Sequence, residues 1–187
     1  MKQIALALHN YADDWNAFPP AFTVDADGNP LHSWRTLLLP YLDYAALYGR
    51  IDLSKPWDAP ANAEVFRALV TVYQCPSADC PQTHTTYLAI VGEGSCFPGA
   101  KPFSPKGIRD GRSQTLMVVE VDNAQAVPWM APRDADEAIL LNVGRRGGLA
   151  HEGGFHGAFV DGSVLFLSAQ MSAADRRALI FVFGNDK

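Results

Sequence analysis

An Asp-Gly pair between two apolar runs is the feature of this sequence that most limits its possible folds. Asp161-Gly162 separates residues 155–160 from residues 163–168, and both runs are rich in apolar and aromatic side chains. Asp-Gly readily adopts the two positive φ angles of a type I′ turn, which joins neighbouring antiparallel strands. The sequence therefore predicts a β-hairpin within residues 150–170, with nine residues between His151 and Asp161.

The N-terminal residues have helical periodicity. Apolar side chains recur at spacings of four, three and four, which places them on one helix face: Ile4, Leu8, Tyr11 and Trp15. The helix is predicted over residues 2–15, ending before Pro19, because the residue before a proline disfavours helical conformation. No Ser, Thr, Asp or Asn precedes the stripe as an N-cap. We therefore expect residues 1–16 to be the truncated end of a longer helix.

The rest of the chain changes from helical to strand-like patterns. Short helices are predicted at 34–39, 40–48, 59–68 and 172–181, β-rich runs at 69–74, 83–91 and 115–121, and long irregular loops at 92–107 and 127–149. Helices that precede strands in this way indicate an α+β fold. The length of 187 residues fits one domain, residues 1–187.

The charge balance limits the possible partners. The formal net charge is −5 and the sequence contains no basic block, which argues against nucleic acid as a partner. No apolar run reaches the roughly 20 residues of a membrane-spanning helix.

The three cysteines leave two interpretations open. Cys75 and Cys80 are close enough in sequence to close a small loop through a disulfide in an oxidising compartment, or both remain buried free thiols, and Cys96 is left over. Their scattered positions lack the paired spacing that tetrahedral zinc ligation needs, so no zinc site is expected.

Several blocks of the sequence, and the order in which they follow one another, resemble the bacterial DUF1559 family. The hairpin segment has the pattern of that family's C-terminal signature, in which a histidine, nine residues and Asp-Gly follow one another. Other blocks resemble family segments: Lys2-Gln-Ile-Ala-Leu-Ala-Leu-His-Asn-Tyr11, Phe18-Pro-Pro-Ala21, Ser33-Trp-Arg-Thr-Leu-Leu-Leu-Pro-Tyr-Leu42, Lys55-Pro-Trp-Asp58, Gln74-Cys-Pro-Ser77, Thr86-Tyr-Leu-Ala89, Asp110-Gly111, Val118-Val-Glu120 and Val127-Pro-Trp129.

The resemblance implies an architecture and a location. Members of this family resemble type IV pilins and type II secretion pseudopilins, with a short basic leader, a prepilin-peptidase site, an apolar helix and a globular head. For this chain it implies a pilin-like head, in which the N-terminal helix packs on an antiparallel sheet. It also implies a native protein that is anchored in the inner membrane by a preceding helix, with the soluble head facing the periplasm or the exterior. The implied partners are other pilin-like subunits or envelope proteins, and the implied role is structural.

His151, Asp161 and Gly162 are the candidate site residues, with two interpretations. His151 and Asp161, with Glu152 nearby, have side chains suited to a metal site or an acid–base pair. Turn geometry, however, accounts for Asp161 and Gly162 without any reaction. In that case the His151 side chain braces the hairpin through neighbouring backbone, which is the role we expect.

Acidic and amide side chains elsewhere in the sequence are candidates for a calcium site. Calcium would need converging oxygens, and the candidates are Asp110, Glu120, Asp122, Asn123, Asp134, Asp136 and Glu137. No Gly-x-Ser-x-Gly nucleophile motif occurs, so we expect a protein that is not an enzyme and needs no cofactor.

Two alternative functions are a binding module for a glycan or small solute and a metal-dependent hydrolase. The binding module would use loops 92–107 and 127–149 with an exposed Trp57 or Trp129, whereas Trp15 and Trp34 are expected in the core. The hydrolase would need His151, Asp161 and another acidic side chain at one point.

Overall fold

The computed structural model describes residues 1–108, 111–145 and 147–182, which form an α+β fold. The helices are α1 (Lys2–Trp15), α2 (Trp34–Leu37), α3 (Ala45–Tyr48), α4 (Ala63–Phe66), α5 (Glu137–Asn142) and α6 (Ala173–Ala178). The strands are β1 (Phe22–Val24), β2 (Pro30–Ser33), β3 (His84–Thr85), β4 (Tyr87–Ala89), β5 (Leu116–Glu120), β6 (Val127–Pro128), β7 (Gly154–Phe159) and β8 (Val164–Ser168). The predicted fold class is confirmed.

A four-stranded antiparallel sheet, in the order β4-β5-β7-β8, forms the centre of the fold. β1 pairs with β2, and β3 pairs with β6, in separate two-stranded ladders. Every residue of β5 is buried, because neighbouring residues of the strand point to opposite faces and both faces are covered. Met117 belongs to the same core cluster as Ile4 and Leu8 of α1. Leu116 and Val119 belong to a second cluster, which contains Leu140 of α5.

The N-terminal helix α1 has the bounds that the periodicity predicts. Ile4 and Leu8 are fully buried, and α1 contacts β7 and the 3₁₀ helix Leu39–Leu42. The helix ends where Asn16 adopts the left-handed conformation. Trp15 is a correction to the prediction, since it is 65% exposed instead of buried. Its ring stacks on Tyr11 at the surface and its Nε1 donates a hydrogen bond to the Tyr41 hydroxyl.

The predicted hairpin is present as β7 and β8, but its turn is not of type I′. Of the described non-glycine residues, only Asn16 and Asp43 have a positive φ, so Asp161 does not adopt the required conformation. Gly162 has φ 81°, and its N–H donates to the Phe159 carbonyl. This is a three-residue loop, in which a type I turn is followed by a left-handed glycine. The extra residue gives the strands a different register from that of a two-residue turn.

The β-rich run at 69–74 is not a strand, which corrects the prediction. Thr71–Tyr73 form a 3₁₀ helix. The Tyr73 side chain explains why, because its ring stacks on Trp129 and its hydroxyl donates to the Arg35 carbonyl at 2.7 Å. These contacts fix Tyr73 in the core and override the strand propensity of its neighbours.

The helices predicted at 40–48 and 59–68 are each divided. The first becomes the 3₁₀ helix Leu39–Leu42 and α3, and the second becomes a 3₁₀ helix, Pro60–Asn62, and α4. Asn62 lies at the junction, fully buried, and its side-chain amide donates to the Asp52 and Pro56 carbonyls. These hydrogen bonds hold the junction against residues 52–56.

Arg35 forms a buried brace between α2 and the loop after β6. Its guanidinium lies 2.7 Å from Asp134 Oδ1, and the two side chains are 0% and 3% exposed. Asp134 Oδ1 also accepts hydrogen bonds from Trp34 Nε1 and the Ala89 N–H. Arg35 donates further hydrogen bonds to four carbonyl groups, those of Tyr87, Trp129, Ala131 and Arg133. All three nitrogens of the Arg35 guanidinium thereby have hydrogen-bond partners.

His32 gives the fold a pH-dependent stability. Its side chain in β2 is fully buried, and this burial lowers its pKa, while the backbones of Lys55 and Asp52 oppose the shift more weakly. The unfolded chain therefore takes up a proton at higher pH than the folded protein does. The stability from neutral His32 is present above about pH 6.5 and is lost as the pH falls.

We expect this histidine to lower the free energy of unfolding by up to about 1.4 kcal/mol for each pH unit below that value. Urea unfolding at about pH 7.5, 6.5 and 5.5 measures the slope. The variant His32→Leu removes the titrating group while keeping the site apolar, so its slope is expected to be smaller. Equal slopes for the two proteins would contradict the assignment.

Candidate functional site

Three chemically reactive side chains meet on the α1 side of the sheet: Cys75, Glu120 and His151. His151 Nε2 lies 3.4 Å from Cys75 Sγ and 3.4 Å from Glu120 Oε1. All three ligand atoms lie within 4.8 Å of one another. The three residues are far apart in the sequence, and the fold brings them together.

Each member of this cluster comes from a different part of the fold. Cys75 follows the 3₁₀ helix Thr71–Tyr73 and is buried. Glu120 is the last residue of β5, where it pairs with Tyr87 of β4. His151 precedes β7 and is held by a backbone bridge to Gly154. The sheet therefore provides the carboxylate, a loop provides the thiol, and the segment just before β7 provides the imidazole.

His156 orients the carboxylate of Glu120. Its backbone N–H and its ring Nδ1 lie 3.2 Å and 3.0 Å from Glu120 Oε2. The His156 ring also packs edge-on against His151, with ring centroids 4.7 Å apart. Because Oε2 is held in this way, Oε1 faces His151 and Cys75. Oε1 is buried and accepts no hydrogen bond of normal geometry from the described residues. Its polar neighbours are His151 Nε2 at 3.4 Å and the Cys75 thiol, whose weak interaction with the carboxylate contributes to the raised pKa of that thiol.

The electrostatic surroundings keep Cys75 protonated. Burial, and next the neighbouring Glu120 carboxylate, raise the pKa of the Cys75 thiol. A cysteine nucleophile needs the opposite, a lowered pKa. A nucleophilic triad also uses both ring nitrogens of its histidine, one for the nucleophile and one for the carboxylate. Here Nε2 of His151 faces both Cys75 and Glu120, so the arrangement does not fit a triad.

An open cavity of about 270 Å³ gives solvent access to the cluster. Its lining comes from the first residues of α1, the sheet and the segment around Cys75, namely Met1, Lys2, Cys75, Pro76, Tyr87, His151, His156 and Val164. Small solutes can therefore reach His151, which is 29% exposed.

The structure does not bring His151 and Asp161 together. They lie beyond opposite ends of β7, a strand on the order of 15 Å long at about 3.3 Å per residue. Asp161 Oδ1 accepts a hydrogen bond from the Ser163 N–H, and hydrogen bonds from Ser163 lower the Asp161 pKa. The Gly162 carbonyl accepts a hydrogen bond from Lys2 of α1. Glu152 is exposed. The turn residues thus contact α1, and the His151 ring contacts the cluster instead of nearby backbone.

The oxygens considered for calcium have several different partners. Asp122 accepts from the Gly144 N–H, Asp136 caps α5 through the Ile139 N–H, and Glu137 pairs with Arg177. Asp134 belongs to the Arg35 brace, Glu120 to the cluster, and Asn123 begins a 3₁₀ helix. Asp110 lies outside the described residues.

The two tryptophans considered for sugar binding pack against other aromatic side chains. Trp129 is buried and its Nε1 donates to the Phe66 carbonyl. Trp57 is half-buried and packs edge-on against the Phe66 ring. Trp34 is fully buried, as predicted. Trp129 therefore offers no exposed ring face for stacking.

The cysteines are free in this structure. Cys75 and Cys96 are buried, and Cys80 is partly exposed. This agrees with the free-thiol alternative, although Cys80 is less buried than that alternative supposed.

The chain belongs to the DUF1559 family. The family model, described as a protein of unknown function, matches residues 1–103. This confirms the resemblance and covers Cys75, while Glu120, His151 and the hairpin follow the matched part. No curated protein and no solved structure matches the chain. Within the described residues, no helix has both the length and the apolar character required to cross a bilayer.

Proposed function

We propose that this protein is a non-enzymatic, prepilin-like subunit of a bacterial cell-envelope assembly. In this proposal an apolar helix that continues into α1 anchors the native protein in the inner membrane, and the head faces the periplasm or the exterior. Its partners are other pilin-like subunits or envelope proteins. Membership of the DUF1559 family supports the proposal, since the resemblance of that family to pilins and pseudopilins implies this architecture.

The observation that carries the proposal is the division of α1 into a docked face and a free face. Ile4 and Leu8 are fully buried against the head, whereas Leu6 on the other face is 62% exposed. A helix that is fixed to its own head by one face leaves the opposite face for neighbouring subunits. Exposed leucine on that face supplies apolar area for such contacts.

The chemistry around Cys75 supports the non-enzymatic part of the proposal. The raised thiol pKa and the single histidine nitrogen between Cys75 and Glu120 do not match an activated nucleophile. A structural subunit needs no catalytic group and no cofactor for chemistry.

Site-specific photo-crosslinking in the bacterium that encodes the protein tests the assembly. A photoreactive amino acid replaces Leu6 on the free face of α1, and a control variant carries it at Glu64, which is exposed on α4. We expect the protein in the inner-membrane fraction, with crosslinks to a second copy or another envelope protein from position 6 and few from position 64. Recovery in the cytosol, or equal crosslinking at the two positions, would contradict the proposal.

A further inference from the structure

The cluster of Cys75, Glu120 and His151 has the donor set of a transition-metal site. A thiol sulfur, an imidazole nitrogen and a carboxylate oxygen approach one another from three segments of the chain. Zinc binds these three donor types, whereas calcium and magnesium take oxygen donors. The presence of sulfur and nitrogen therefore selects zinc over the hard cations.

The distances fit tetrahedral coordination. Zn–S bonds of about 2.3 Å and Zn–N or Zn–O bonds of about 2.0–2.1 Å place neighbouring ligand atoms roughly 3.3–3.6 Å apart at tetrahedral angles. His151 Nε2 lies 3.4 Å from Cys75 Sγ and 3.4 Å from Glu120 Oε1. The third pair, Sγ and Oε1, lies within 4.8 Å, and zinc binding would rotate the Cys75 or Glu120 side chain until this distance matches the other two.

Glu120 provides independent evidence for a cation. Its side chain is 1% exposed, and Oε1 is buried without a hydrogen bond of normal geometry from the described residues. A buried carboxylate oxygen without a partner is costly, and bound metal is one of the ways in which proteins compensate buried charge. Oε1 faces Cys75 and His151, and the cation would lie at that point.

His156 has the position of a supporting residue. It contacts Glu120 Oε2, the oxygen that faces away from the other two ligands. Ligating carboxylates are commonly held by an outer hydrogen bond of this kind, which fixes their orientation. The carboxylate and the residue that orients it therefore lie on neighbouring strands, Glu120 on β5 and His156 on β7.

We propose that Cys75, Glu120 and His151 bind one zinc ion, with the fourth coordination position open to the cavity beside α1. The Cys75 thiol loses its proton on binding, as zinc ligation requires. The ion crosslinks three parts of the chain: the segment after the 3₁₀ helix Thr71–Tyr73, strand β5, and the residues just before β7. A water molecule or a small ligand from solvent takes the remaining position.

Metal analysis of the full chain under reducing conditions tests the site. We expect about one zinc per chain in wild-type protein, and cobalt substitution is expected to give the charge-transfer absorption of a thiolate–Co²⁺ bond. His151→Ala and Cys75→Ala should each weaken zinc affinity at least about 100-fold, and His156→Ala about 10- to 100-fold. Because His151 is partly exposed, its alanine variant should fold, which circular dichroism verifies.

Cys80→Ala and His84→Ala are the matched controls, since neither residue belongs to the cluster. Both should keep the zinc content and the cobalt spectrum of wild type. Added zinc should raise the melting temperature of wild type and of both controls, but not that of His151→Ala. Absence of zinc binding in wild type, a cobalt spectrum without the thiolate band, or equal loss in Cys80→Ala and Cys75→Ala would overturn the proposal.

Discussion

Replacing Arg35 by alanine is expected to lower the free energy of unfolding by about 3–5 kcal/mol. The substitution leaves Asp134, which is 3% exposed, as a buried carboxylate without its cation. It also removes a hydrogen bond from each of four carbonyl groups, three of them in buried contacts, and an unsatisfied buried polar group is destabilising in itself. Urea unfolding followed by circular dichroism measures the change.

The exposed ion pair between Arg50 and Glu64 provides the control. Its side chains are 58% and 84% exposed, so Arg50→Ala should change the unfolding free energy by no more than about 0.5 kcal/mol. Arg35→Lys keeps the positive charge but loses the planar set of guanidinium N–H donors. Its unfolding free energy should therefore lie between those of wild type and Arg35→Ala. A loss below about 1 kcal/mol for Arg35→Ala would mean that the brace does not stabilise the fold as described.

Leu8→Ala is expected to lower the free energy of unfolding by about 2–5 kcal/mol. Leu8 is fully buried where α1 meets the head, so its loss removes apolar contacts and leaves a cavity. Leu6→Ala is a matched control on the same helix, because Leu6 is 62% exposed. That variant should remain within about 0.5 kcal/mol of wild type, since alanine is also a good helix former.

The same urea titration compares the two leucine variants. Equal destabilisation by Leu6→Ala and Leu8→Ala would contradict the docking of α1 by one face.

Local patterns in the sequence predicted the parts of the fold that depend on local interactions. The bounds of α1 follow from its apolar stripe, and the hairpin follows from Asp161-Gly162. The run around Tyr73 was predicted wrongly because its conformation is set by tertiary contacts with Trp129 and Arg35. Trp15 continued the stripe in sequence, but its ring packs on surface aromatic residues at the end of the helix.

The candidate site could not be predicted as a unit. Glu120 and His151 were each considered as ligands, but His151 was paired with Asp161, its near neighbour in sequence. Cys75 is 76 residues from His151 in the chain. The pairing of β5 with β7 brings Glu120 close to His151, and the packing of the loop after the 3₁₀ helix Thr71–Tyr73 adds Cys75. The cysteine spacing predicts no zinc site, but paired spacing is a signal only for sites built from cysteine pairs, and a mixed set of ligands has no comparable sequence signal.

The contact between α1 and the hairpin also determines when the protein can finish folding during its synthesis. Lys2 and Gly162 are 160 residues apart in the chain, and α1 packs on β7 near the C-terminal end. A ribosome that adds about 5–20 residues per second needs about 8–30 s to produce the residues between them. Throughout that time the apolar face of α1, with Ile4 and Leu8, has no β7 to cover it. The nascent chain therefore exposes an apolar helix face that is covered in the finished fold.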